Sequence, residues 1–301
     1  MENESRLKIW ITGSAGFLGN RLASHLARVG HSVIGLARRE SPAAAKSIVI
    51  DLFGSDAVES LRELIREQGP PDVLVHCAAK QPGSGTPNDF VRANLGTTWN
   101  LVEAFRSQPP GQVIYTSTQS VYSHPAQLPV KETEPAPGVM PYSATKRWAE
   151  ELLRELAGQT RVTVLRLPSL YGVGQTDSFI DGLAKSALRN EGIELFARGE
   201  LVRDALHVSD VVDAITTCAE NRFERSFSVL NLGCGRRITT LEYATSLVKA
   251  LNSKSVIIPT DRPATQFDLY ADIEEARKVF GFEPKSLEES LRVYAEELSA
   301  S

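Results

Sequence analysis

The chain has 301 residues and a formal net charge of −4, with 23% of its residues charged. That length holds one large core, or a nucleotide-binding domain with a smaller lobe. Mild acidity with scattered lysine and arginine excludes nucleic acid as the expected partner. No run approaches the roughly 20 apolar residues of a membrane-spanning helix. The polar start Met1-Glu2-Asn3-Glu4-Ser5 lacks the basic-then-apolar order of a secretory leader, so the expected location is the cytoplasm.

Strand and helix signals alternate through the first half. Strands are expected at 7–12, 32–37, 47–50, 72–77, 113–116 and 162–167. Helices are expected at 17–29, 56–68, 87–107 and 142–157. Val73-Leu74-Val75 is continuously apolar, as in a parallel strand covered on both faces. After Pro168 strands shorten, Gly and Pro become frequent, and helices are expected at 208–220, 240–251, 273–280 and 287–298. Thr239-Thr240-Leu241-Glu242 fits a capping box. The expected fold is α/β, a Rossmann-type doubly wound parallel sheet over 1–168 with a smaller C-terminal substrate-binding lobe over 169–301, some segments of which return to the first domain. Cys77, Cys218 and Cys234 are odd in number and irregularly spaced, which argues for small core residues rather than a disulfide framework. No two histidines have zinc-site spacing on a helix, so no metal is expected.

Thr12-Gly13-Ser14-Ala15-Gly16-Phe17-Leu18-Gly19 follows a strand and opens a helix. Glycines there let backbone approach a pyrophosphate closely, and the amides of the new helix then face the anion. The residues Gly13 to Gly19 are therefore candidate cofactor contacts. An NAD site places a carboxylate about 20 residues further on, for the ribose 2′-hydroxyl. This chain has Leu36-Ala37-Arg38-Arg39 there, and Arg38 suits a 2′-phosphate, which puts NADP slightly ahead of NAD. The alternative is a solvated pair of arginines.

Tyr142-Ser143-Ala144-Thr145-Lys146 opens a predicted helix, and positions i and i+4 share a face. A phenol is a poor base near neutrality. A neighbouring ammonium favours the phenolate, giving a proton carrier suited to an alcohol or ketone. The hydroxyl-rich strand end Tyr115-Thr116-Ser117-Thr118-Gln119-Ser120 can hold a substrate oxygen or cap the next turn.

Together, and with Asp51-Leu52, His76-Cys77-Ala78-Ala79, Asn94, Arg166-Leu167-Pro168-Ser169-Leu170-Tyr171-Gly172, the stretch from Arg203 to Val211, Asn231-Leu232-Gly233 and Gly281-Phe282-Glu283-Pro284, these motifs resemble the extended short-chain dehydrogenase/reductases, the NAD-dependent epimerase/dehydratase group. The resemblance covers nearly the whole chain. It implies Tyr142 as general acid/base, Lys146 as its tuner and a ribose contact, and Thr118 as holder of the reacting oxygen. It implies further cofactor contacts from Asp51, Leu52, Ala78, Ala79, Lys80, Asn94, Thr116 and Pro168. Substrate contacts are implied for Ser169, Arg203 and Arg262, the arginines on a nucleotide diphosphate, and a homodimer is implied through the helices starting near Pro87 and Tyr142. Gln119-Ser120 stands where sugar 4,6-dehydratases have Asp-Glu, so dehydration is not expected. Ser120 also replaces the cysteine of 3,5-epimerising reductases, and Ser169 an asparagine. The expected activity is NAD(P)-dependent reduction of a nucleotide-linked keto-sugar at C4. The alternatives are a nucleotide-sugar 4-epimerase with retained NAD, and a non-catalytic nucleotide sensor.

Overall fold

The continuously apolar Val73-Leu74-Val75 lies in a strand whose residues are all buried, as in a parallel sheet covered on both faces. The computed structural model describes residues 6–83, 85–176, 178–221 and 223–300. Its strands are β1 (Lys8–Thr12), β2 (Ser32–Ala37), β3 (Lys46–Val49), β4 (Val73–His76), β5 (Gln112–Thr118), β6 (Arg161–Leu167), β7 (Ser169–Tyr171), β8 (Ile193–Leu195), β9 (Ala205–His207), β10 (Phe227–Asn231) and β11 (Ile257–Pro259). Its α-helices are α1 (Phe17–Arg28), α2 (Ala57–Gln68), α3 (Pro87–Phe90), α4 (Thr97–Phe105), α5 (Pro141–Arg154), α6 (Phe179–Leu188), α7 (Val208–Glu220), α8 (Thr240–Ala250), α9 (Glu274–Phe280) and α10 (Leu287–Ser299).

Seven strands form one sheet in the order β10-β6-β5-β4-β1-β2-β3. The neighbours β1–β2, β1–β4, β2–β3 and β4–β5 run parallel. The order reverses between β1 and β4, the crevice where a doubly wound sheet takes its ligand. The fold class expected from the sequence is thus the one observed. The expected single helix at 87–107 is instead α3, a π-helical stretch Val91–Gly96, and α4. β10 joins the sheet as an unexpected seventh strand.

The chain divides into two compact units. The first comprises the described residues of 1–123, 136–166 and 212–230. Trp10, Leu36, Leu61, Leu74, Leu101, Phe105, Leu153 and Val164 fill a core in this unit. Gln112 Nε2 donates to the Cys218 carbonyl at 3.0 Å, so the return segment is tied to β5. The second unit comprises 124–135, 167–211 and 231–300. Its core gathers Tyr171, Ile180, Tyr243, Leu247, Leu291 and Tyr294. Thr239 and Glu242 form the expected capping box at the start of α8. Among the described residues, no helix is long and apolar enough to cross a membrane.

Candidate active site

The site begins at the carboxyl end of β1. Gly13 turns there with φ +71°, and a Cβ on it would lie 2.9 Å from the Ala78 backbone. On Gly19 a Cβ would lie 2.3 Å from the Gly13 carbonyl oxygen. Both positions are closed to a side chain. Gly16 caps α1 with no side-chain hydrogen bond, and the first turn holds no acidic residue. A helix start of this kind offers its amides to an anion. The residues present therefore fit the pyrophosphate of a dinucleotide.

His76 fastens the crevice. Its Nδ1 is 2.7 Å from Thr12 Oγ1 and its Nε2 is 3.0 Å from Thr98 Oγ1. Thr12 Oγ1 also accepts from the Ala78 amide at 3.1 Å. Burial, with the Lys146 charge adding to it, lowers the His76 pKa to about 3. A histidine kept neutral between two hydroxyls is structural. Thr116 is committed too, since its hydroxyl donates to the His76 carbonyl at 3.2 Å.

Asn94 sits in the π-helical stretch, 1% exposed. Its Oδ1 accepts from the Lys80 amide at 2.7 Å, and its Nδ2 donates to the Lys80 carbonyl at 3.3 Å. The same nitrogen donates to Thr145 Oγ1 at 3.1 Å. Its amide therefore clamps the loop after β4 to the first turns of α5, in the position where the sequence placed a cofactor contact. A π-helical bulge often accompanies a functional site, and here it lets this residue reach both segments.

Tyr142 and Lys146 lie one turn apart on α5. The Phe90 ring meets the Tyr142 ring edge-on at 6.1 Å between centroids. Lys146 Nζ lies 4.2 Å from the centre of the Tyr115 ring, and Lys146 is 2% exposed. Burial pushes the Tyr142 phenol up to about 12, although hydrogen bonding with Gln81 and Thr118 draws it part of the way back. Burial also brings the Lys146 ammonium down to about 7, against the opposing influence of Cys77 and Glu150. The sequence reading expected a lowered phenol. Instead, loss of hydration raises it, and the hydrogen bonds with Gln81 and Thr118 offset only part of that rise. Thr118 ends β5, where its Oγ1 accepts from the Ser120 amide at 3.2 Å and lies 3.1 Å from Ser120 Oγ. Capping the next turn and facing Tyr142 are thus compatible.

At the far end of the crevice Ala37 closes β2, and Arg38 and Arg39 follow. Arg38 and Arg92 both place their guanidinium carbons over the Phe53 ring, at 5.8 and 5.6 Å. Arg39 donates to the Ala15 carbonyl of the glycine turn at 3.0 Å. Asp51 is exposed, while Leu52 is buried in the core.

The sequence model of the NAD dependent epimerase/dehydratase family matches residues 9–233. The chain belongs to this family. It is 25% identical, over 96% of both chains, to a probable UDP-glucuronate 4-epimerase of Rhizobium meliloti. It is 27% identical to a UDP-glucose 4-epimerase of Azospirillum brasilense, over 92% of this chain and 87% of that one. Among solved structures, MoeE5 in complex with UDP-glucuronic acid and NAD superposes with a TM-score of 0.82 at 29% identity, covering 97% of this chain and 99% of that one. The UDP-glucose 4-epimerase of Thermotoga maritima with UDP-glucose superposes with a TM-score of 0.83 at 25% identity, covering 97% and 98%.

Within this epimerase/dehydratase-family chain the second unit carries the remaining candidates. Ser169 starts β7. Arg203 is half-buried and stacks over Phe179 at 5.6 Å. Arg262 is exposed and pairs with Glu194 at 3.1 Å. Two site residues escaped the sequence reading. Gln81 Oε1 accepts from the Tyr142 hydroxyl at 3.4 Å, and no periodic or motif signal marks it. Glu150 lies one turn beyond Lys146, a spacing that could have singled it out.

Proposed function

We propose that this chain is a nucleotide-sugar 4-epimerase that works with NAD(P) at the glycine turn. The observation that carries this reading is that Thr118, at the carboxyl end of β5, hydrogen-bonds Tyr142, one turn from Lys146 on α5, in the same sheet unit whose β1 leads into that turn. The 4-epimerase names of its relatives support it. In this reading Tyr142 takes the proton of the sugar C4 hydroxyl and later returns it, while Thr118 holds that oxygen by a hydrogen bond. Lys146 supplies the positive charge that makes a phenolate tenable at the moment of transfer. The dinucleotide, when bound, supplies acceptance and return of hydride at C4. We assign the phosphates of the substrate to Arg203 and Arg262, and a polar contact to Ser169. Gln119-Ser120 after Thr118 offers no carboxyl pair, in keeping with a reaction that eliminates no water.

A second reading, reduction of a keto-sugar at C4 with exchangeable NADPH, is favoured by one feature. Ala37, Arg38 and Arg39 supply no carboxylate for a ribose 2′-hydroxyl but do supply cations for a 2′-phosphate. Three measurements test these readings together. Purified protein incubated with UDP-glucose or UDP-glucuronic acid is expected to yield the C4 epimer, detectable by proton NMR. Tyr142→Phe is expected to stop turnover and leave dinucleotide affinity nearly unchanged, and full activity in that variant would overturn the mechanism. Denaturation releasing stoichiometric NAD supports the epimerase. Ready exchange with marked preference for NADPH supports the reductase.

We also propose a homodimer. Trp99 on α4 and Trp148 on α5 are 55% and 64% exposed, and apolar surface of that size suits a second copy.

A further inference from the structure

Glu150 is 1% exposed and Arg166 4%. Arg166 Nε donates to Glu150 Oε1 at 3.1 Å, and Nη2 donates to Oε2 at 2.7 Å. Ser117 Oγ donates to the same Oε1 at 2.5 Å. Arg147 lies 3.7 Å from Oε2. The Arg166 guanidinium also lies over the Tyr122 ring at 4.8 Å. One carboxylate therefore joins β5, α5 and β6, and through Tyr122 the turn after Thr118. These are the elements that carry Thr118, Tyr142 and Lys146.

Stability alone does not explain this arrangement. A buried ion pair recovers its desolvation cost only with good geometry, and an apolar pair of similar volume is often as stable. An apolar pair, however, could neither accept from Ser117 nor carry charge beside Lys146. We propose that Glu150 is a positioning residue: it pins the strand end bearing Thr118 to the helix bearing Tyr142 and Lys146, and sets a negative charge one turn from the Lys146 ammonium. This rests on the catalytic assignment of those three residues.

The groups around Lys146 make the charge consequential. Tyr142 and Glu150 share its helix, His76 ends β4, Cys77 follows it, Tyr115 lies on β5 and Arg166 on β6. Burial raises the Cys77 thiol to about 12 and lowers His76 to about 3, so both are neutral near pH 7. The Tyr115 phenol is pushed well above its ordinary value, chiefly by burial. Of the acidic side chains named, Glu150 is left as the charge that opposes the desolvation of Lys146.

The experiment compares the wild type with Glu150→Gln and with the paired variant Glu150→Met/Arg166→Met, which removes both charges and spares the fold an unpaired arginine. Lys146 is followed by carbon-13 NMR of ε-labelled lysine across a pH series, assigned with Lys146→Met, with neither sugar nor dinucleotide present. The expected result is a titration midpoint at lower pH in both variants, with the paired variant melting near the wild type. On UDP-glucose the paired variant is expected to lose about tenfold in kcat, roughly 1.4 kcal/mol, with little change in KM, and its alkaline limb should move to lower pH. A folded paired variant whose Lys146 midpoint matches the wild type overturns the proposal. If the wild type turns over no nucleotide sugar, the functional reading fails, while the NMR midpoint still decides the role of Glu150.

Discussion

Asn94 Nδ2 donates to Thr145 Oγ1 across 3.1 Å, and Thr145 Oγ1 donates in turn to the Tyr142 carbonyl at 2.8 Å. Helix α5 and the loop after β4 are thus held by one amide. Asn94→Ala would leave the Lys80 amide and Thr145 without this partner. Buried groups left so cost about 1–3 kcal/mol each, and the expected loss is about 2–4 kcal/mol by denaturant unfolding. Weaker dinucleotide binding should accompany it, because the Lys80 loop loses its anchor.

The contact between Gly19 and the Gly13 carbonyl makes a second prediction. A methyl at Gly19 would fall 2.3 Å from that oxygen and 2.9 Å from its carbon, and backbone cannot rotate away as a side chain can. Gly19→Ala should spread the turn at about 1–3 kcal/mol. The amides would no longer converge, and dinucleotide affinity measured by calorimetry should fall by about tenfold to a hundredfold. Unchanged affinity would remove the turn from the cofactor site.

His76 predicts an acid-side loss of stability. The unfolded chain takes up a proton at this residue below its ordinary 6.5, while the folded chain resists until about 3. Its contribution is therefore complete above pH 6.5 and is lost progressively as the pH falls towards about 3. His76→Gln should start from a lower melting temperature, having lost hydrogen bonds to Thr12 and Thr98, yet show a shallower fall with acid. Parallel melting curves over this window for the two proteins would sink the idea.

Trp99 and Trp148 predict the assembly state. Light scattering is expected to give the mass of two chains for the wild type and one for Trp99→Ser/Trp148→Ser. A wild-type mass of one chain across a wide concentration range would rule out the dimer.

Much of this architecture is legible because its signals are local. The apolar runs of β1 and β4, the glycines flanking Ser14 and Ala15, and the four-residue step from Tyr142 to Lys146 each encode a backbone requirement within a few positions. The π-helical stretch is not legible in this way. Its hydrogen bonds shift by one residue with no change in side-chain pattern, so 87–107 reads as one regular helix. β7, β8, β9 and β11 have three residues each, too few for a period to show. α6 passes unnoticed because its buried face is only Ile180, Ala184 and Ala187, two of them alanines that carry little apolar signal. At the site, Gln81 lies on a loop rich in Gly and Pro. Tyr142 and Lys146 are nameable from sequence, but the direction of the phenol shift depends on how much water the fold removes.

The excursion of the chain through β10 has a consequence for anyone dividing this protein. Residues 212–230 belong to the first unit, although they come after most of the first half of the second, and β10 lies at the sheet edge beyond β6. A fragment cut at 168 would lack that strand and present the bare amides and carbonyls of β6 to solvent. Such an edge is a template for pairing with other chains. The fragment should therefore self-associate, and a soluble cofactor-binding piece would have to be made by joining 6–166 to 212–230 through a designed linker.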